Sequence, residues 1–201
     1  MWDKEKYERK TIRLKGWDYS NAGAYFVTIC AYKKRCIFEN IIVASIIKEQ
    51  WEELPKKFNC IDLDEFVIMP NHLHCILWIK SVNIGRGNHV ANSGRGNPCG
   101  YPLAGASPAP TLGNVDDGLA GASPAPTLGD VIGAFKSTIS IKYLQWIKQN
   151  NPKQTGKLWQ RNYYEHIIRN EEELNRIRKY IIENPIKWAD DPENPTNIKK
   201  S

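Results

Sequence analysis

IDLDEFVIMPNHLHCILWI, residues 61–79, decides how this chain folds. Two runs rich in Ile, Leu, Val and Phe, 61–69 and 72–79, flank the dipeptide Pro70-Asn71, which favours a tight turn. The stretch therefore predicts two strands joined as a hairpin. Its second arm opens with two histidines one residue apart. Side chains alternate across a strand, so His72 and His74 point to one face while Leu73 and Cys75 point to the other.

Working outward, AYFVTICAY (24–32) is β-branched and aromatic and reads as a strand. IIVASIIKEQWEEL (41–54) carries apolar residues at helical spacing and stops at Pro55. DVIGAFKSTISIKYLQWIKQ (130–149) predicts an amphipathic helix with Asp130 as N-cap, and LWQRNYYEHIIR (158–169) reads as extended. NEEELNRIRKYIIEN (170–184) is a helix capped by Asn170, with acids in its first turn and a stop before Pro185. The order is β-α-β-β-α-β-α. Its first six elements make an α+β fold, the ferredoxin-like split βαβ arrangement, an antiparallel sheet with helices on one face, to which a C-terminal helix is added.

One segment breaks the pattern. Ten of the fourteen glycines and six of the twelve prolines lie between residues 81 and 130, and LAGASPAPTLG occurs twice, at 103–113 and 119–129. Such composition opposes both helix and ladder, so residues 81–127 read as a flexible insertion within a single domain spanning 1–201. Inert linker and DNA-clasping loop are both open readings of it.

The 28 Lys and Arg against 22 Asp and Glu leave a formal charge of +6, which tilts toward an anionic partner without naming one. Five cysteines form no C-x-x-C pair and are odd in number, as suits a reducing cytosol rather than a disulfide framework. No apolar run is long enough to span a bilayer, and the charged N-terminus does not read as a signal peptide, so a cytoplasmic domain is expected.

Two imidazoles on one strand face can close on a single metal ion, although hydrogen-bonded surface histidines would look the same in sequence. On the last helix, Tyr180 and Asn184 stand four apart on one face, which would bring an amide oxygen to the metal and hold a phenol beside it. Taken singly, Tyr180 also reads as a core tyrosine and Asn184 as a helix cap.

The combination of MPNHLHCIL, FKS within a helix, and LWQRNYYEHIIRNEEELNRIRKYIIENPIKW resembles the single-tyrosine HUH transposases, and among them looks most like the REP-associated tyrosine transposases. The resemblance runs from about IRLKGWDYSNAGAYFVTIC to NPIKW, without the insertion. It implies a metal-dependent single-stranded DNA endonuclease and strand transferase acting at hairpins or palindromic repeats. His72 and His74 would be metal ligands with Asn184 as the third, Tyr180 the nucleophile forming a 5′-phosphotyrosine bond, and Mg²⁺ or Mn²⁺ the ion. Tyr163 and Tyr164 are the rival nucleophiles, and His166 a phosphate contact, proton relay or structural residue. Arg176, Lys179, Lys136 and Arg13 are the candidate DNA contacts. A monomer or homodimer is expected. A catalytically idle DNA-hairpin binder of the same fold is the alternative, and a metal- or RNA-binding module without chemistry a third.

Overall fold

The computed structural model describes residues 18–80, 126–191 and 193–198. The basic arm containing Arg13 and most of the 81–127 insertion lie outside these residues. Four strands, β1 (Gly23–Cys30), β2 (Ile61–Ile68), β3 (His72–Ile79) and β4 (Tyr164–Ile168), form one sheet in the order β2-β3-β1-β4. Every neighbouring pair is antiparallel. Strand β3 lies between β1 and β2, as the split βαβ pattern requires.

Two helices cover one face. Helix α1 (Ile41–Glu52) is capped by the Asn40 side chain, which accepts from the backbone N–H groups of Ile42 and Val43 at 3.0 and 3.3 Å. A short helix, α2 (Leu54–Lys57), follows it. Helix α3 (Leu128–Asn150) buries Val131, Ile132, Phe135, Ile139, Tyr143 and Ile147, a stripe at helical spacing. They pack with Val43, Ile47 and Trp51 of α1 onto Tyr25, Val27 and Ile29 of β1 and Leu73, Cys75, Leu77 and Ile79 of β3.

The start of α3 differs from expectation. Thr127, rather than Asp130, is the N-cap: its hydroxyl accepts from the Asp130 N–H, while Asp130 accepts from the Thr127 N–H. This is a reciprocal capping box. Leu128 is wholly buried, so the end of the second repeat copy belongs to the core and not to the insertion.

The fourth strand is shorter than the predicted 158–169. Trp159 makes only an isolated bridge to Ala31, and regular pairing begins at Tyr164. Between them the chain leaves the ladder, and the Lys136 ammonium donates to the carbonyls of Gln160 and Arg161 at 2.8 and 3.2 Å.

The opposite face holds α4 (Glu171–Glu183), a 3-10 turn at Asn184–Asp190, and a short helix, α5 (Pro195–Ile198). Asn170 caps α4 as expected, accepting from the Glu173 N–H at 2.8 Å. Leu174 and Ile181 of α4 are buried against Ala24, Ile76 and Ile168. A bulge in β2 allows both faces to be served: Leu63 pairs with Leu77, but Phe66 pairs with Cys75. Phe66 thereby stacks on Trp51 at 4.7 Å on the α1 side, while Asp64 stays on the α4 side.

Candidate functional site

The site grows from the hairpin turn. Asn71 is buried and its amide nitrogen donates to the carbonyls of Glu193 and Lys34 at 2.7 and 3.3 Å. Two carbonyl acceptors fix which end of the amide is which, so Asn71 Oδ1 faces His72 Nδ1 at 2.8 Å. An amide oxygen only accepts. His72 therefore carries its proton on Nδ1 and presents a lone pair at Nε2.

That lone pair is aimed at the second imidazole. His72 Nε2 and His74 Nε2 are 3.1 Å apart, and the Thr28 hydroxyl lies 2.8 Å from His74 Nδ1. Register explains Thr28: it is the partner of His74 across the β1–β3 ladder. Burial lowers the pKa of both rings. For His72 the carboxylates of Asp191 and Glu193 oppose the shift, whereas His74 is pushed down to about 3 by burial and by His72 beside it. Held neutral, each ring keeps one lone pair: on Nε2 for His72, and for His74 on whichever nitrogen the Thr28 hydroxyl, able to donate or accept, leaves unprotonated.

At 3.1 Å, a hydrogen-bond distance, the two nitrogens are close enough that one ion could bind both. Among the described residues no group of three His, Cys, Asp or Glu could hold a metal ion, so a third ligand would have to be an amide, water or substrate oxygen. Asn184 is buried at the end of α4, one turn beyond Tyr180. Among the described residues its side chain makes no hydrogen bond to either imidazole, but Trp188 of the same 3-10 turn lies 6.1 Å from the His72 ring.

Tyr180 stands at the same point. Its hydroxyl oxygen is 3.3 Å from His74 Nε2, and the ring is 46% exposed, open to a ligand from outside. Phe26 supports both rings, stacked on His74 at 5.3 Å and edge-on to Tyr180 at 6.1 Å. Of the rivals, Tyr163 packs against the α1–α3 core and Tyr164 lies on the site face, edge-on to Phe26. His166 bonds Glu173 at 2.7 Å.

The angle of α4 is set by residues that helical periodicity does not flag. Arg178 holds Asp64 of the β2 bulge through two bonds, 2.9 and 2.6 Å, and Trp78 donates to the same carboxylate at 2.8 Å. Burial opposes ionisation of Asp64, yet the bonds from Arg178 and Trp78 outweigh it and hold the pKa below the usual carboxylate range. Thr28, Asn71, Asp64 and Arg178 are thus site residues that sequence reading missed. Only a strand register could have pointed to Thr28.

Among the candidate DNA contacts, Arg176 and Lys179 extend from α4, and among the described residues their ion pairs are loose ones to Glu173 and Glu183 at 3.8 and 3.7 Å. Lys136 is placed differently. Its ammonium donates to the two carbonyls of the 160–161 segment, and burial lowers its pKa to about 8. Arg13 lies outside the described residues. No helix among the described residues is long and apolar enough to cross a membrane.

No family model matches the sequence. An uncharacterized protein of Haemophilus influenzae is 35% identical over 194 residues, covering 92% of each chain. Among solved structures, a REP-associated tyrosine transposase bound to a REP hairpin is similar over 87% of this chain and 73% of its own, at 15% identity and a TM-score of 0.49. A Deinococcus radiodurans protein, provisionally classed as a transposase, is similar over 86% of this chain and 98% of its own, at 17% identity and a TM-score of 0.44.

Proposed function

We propose that this chain, which belongs to the same family as the Haemophilus influenzae protein, is a metal-dependent enzyme that cleaves and rejoins single-stranded DNA through a tyrosine. One observation carries the reading: the Tyr180 hydroxyl and the His72 Nε2 atom converge on His74 Nε2, at 3.3 and 3.1 Å. A phenol is a weak nucleophile at neutral pH unless its surroundings favour the charged form. Mg²⁺ or Mn²⁺, held by His72 and His74 with Asn184 as the amide ligand, would supply Lewis-acid polarisation of the scissile phosphate.

The remaining work falls to the chain. Tyr180 Oη forms a bond to phosphorus as the bond from phosphorus to the 3′ oxygen breaks. The phenol loses its proton, the leaving oxygen takes one up, and a 5′-phosphotyrosine and a free 3′-hydroxyl result. The phosphodiester energy is conserved in the new ester, so a 3′-hydroxyl can reverse the step. The Asp64–Arg178 pair holds α4, and with it Tyr180, at the angle that meets β3. One chain holds both nucleophile and imidazoles, so a monomer has the set. Arg176 and Lys179 on the same helix favour a phosphate backbone beside it. Hairpins and palindromic repeats are the substrates that the sequence resemblance implies.

The test is incubation of the protein with labelled single-stranded hairpin DNA and Mg²⁺ or Mn²⁺. A covalent adduct stable to denaturation is expected from the unaltered protein and absent from Tyr180→Phe. An adduct that survives in Tyr180→Phe but vanishes in Tyr164→Phe moves the chemistry to β4. No adduct on any hairpin leaves a catalytically idle hairpin binder.

A further inference from the structure

Beside Tyr180 an open groove of about 360 Å³ runs between β4 and α4. Its lining includes Phe26, Tyr164, His166, Glu173, Arg176 and Tyr180. Tyr164 and Tyr180 both stand edge-on to Phe26, at 6.4 and 6.1 Å, and each keeps close to half of its surface exposed. Two tyrosine rings thus stand open over an apolar floor. The polar wall is pre-set: His166 and the Arg169 backbone N–H both bond Glu173, at 2.7 and 2.9 Å. At the rim, Arg176 is 77% exposed and only loosely held by Glu173.

We infer that this groove holds one unpaired nucleobase of the DNA strand next to the phosphate attacked by Tyr180, stacked on Tyr164, with Arg176 on the adjoining backbone phosphate. Flat aromatic walls with an exposed cation at the rim match a base and its phosphate, since stacking tolerates any base and the cation neutralises one charge. The groove shares Tyr180 with the histidine site, so a base seated there places its own phosphate within reach of the hydroxyl. A duplex cannot deliver a base in this way without unpairing it. Strand selectivity then comes from the groove and phosphate positioning from α4. The inference rests on the proposed cleavage reading for its orientation, but its test does not use cleavage.

Affinities are measured by anisotropy in EDTA, so that no cleavage occurs, for a twelve-nucleotide oligothymidylate and for an abasic strand of equal length and charge. The unaltered protein, Tyr164→Ala and Arg176→Ala are compared. In Tyr164→Ala the thymidylate-to-abasic affinity ratio is expected to fall about five- to a hundredfold, with the salt dependence unchanged. In Arg176→Ala the ratio is expected to hold while the slope of log affinity against log salt drops by about 0.7. Arg176→Ala should leave thermal unfolding unmoved, and Tyr164→Ala, which gives up its edge contact with Phe26, should lower it modestly, so affinities are compared well below both melting points. An unchanged ratio in Tyr164→Ala, or no binding of either strand, overturns the inference. An unchanged salt slope in Arg176→Ala overturns its phosphate half. If the ratio behaves as expected but no adduct forms on hairpins, the groove stands and the cleavage reading falls; an adduct with an unchanged ratio is the reverse.

Discussion

Replacing His74 with Gln should flatten the acid side of the stability profile of the metal-free protein. In the folded chain His74 has a pKa of about 3, against 6.5 for an ordinary histidine. Above pH 6.5 neither state carries the proton and the residue contributes nothing to the pH dependence. Below it the unfolded chain takes up a proton that folded His74 refuses, so stability is lost as pH falls from 6.5 toward 3. At pH 5 the gap is 1.5 pH units, worth about 2 kcal/mol at about 1.4 kcal/mol per unit. His72, also lowered, adds a loss of the same sign. Urea titrations followed by tryptophan fluorescence, in EDTA at pH 7 and pH 5, give the two stabilities. The unaltered protein should lose about 2 kcal/mol more than His74→Gln, or about 4–8 °C in a melting experiment. Free Mn²⁺ at a hundredfold its Kd should then add about 3 kcal/mol to the unaltered protein at pH 7, and little to the variant. Parallel pH profiles would refute the claim that the fold holds His74 neutral, and with it the argument for a ready lone pair.

Arg178→Leu should cost on the order of 3 kcal/mol by leaving Asp64 charged and partly buried without its partner. Adduct formation should fall further than single-strand affinity does, because α4 loses its angle; equal losses in both would count against a positioning role. Thr28→Val keeps shape but removes the hydroxyl that orients His74, so Mn²⁺ affinity should drop about 10- to 100-fold, read by calorimetry. Thr127→Ala should cost about 1 kcal/mol through loss of the α3 cap, and a neutral result in urea titration would return the helix start to Asp130.

Much of this molecule is local, and local features are legible in sequence. The alternation in 72–79 places both histidines on one face because strand geometry has period two, whatever surrounds it. The Asn170 cap and the acids after it define where α4 begins, since an N-cap acts within one turn. The order of strands and helices implied an antiparallel sheet of the split βαβ kind, because few topologies satisfy it, and the strands lie in the order β2-β3-β1-β4. Thr127 was misjudged for a physical reason: it sits inside a repeat whose composition argues against structure, while its value as a cap depends on α3 packing below it. What only the tertiary structure decided is which distant groups meet. Thr28 reaches His74 through a register between β1 and β3, 46 residues apart. Arg178 reaches Asp64 across 114 residues, through a bulge that keeps Asp64 on the α4 side while Phe66 turns to the other. Lys136 and Arg176 look alike as basic helix residues, yet one is tied to backbone carbonyls and the other stands open beside the groove. A residue's neighbours in sequence set its secondary structure, but the desolvation and partners that determine its chemistry come from elements that meet only when the chain closes on itself.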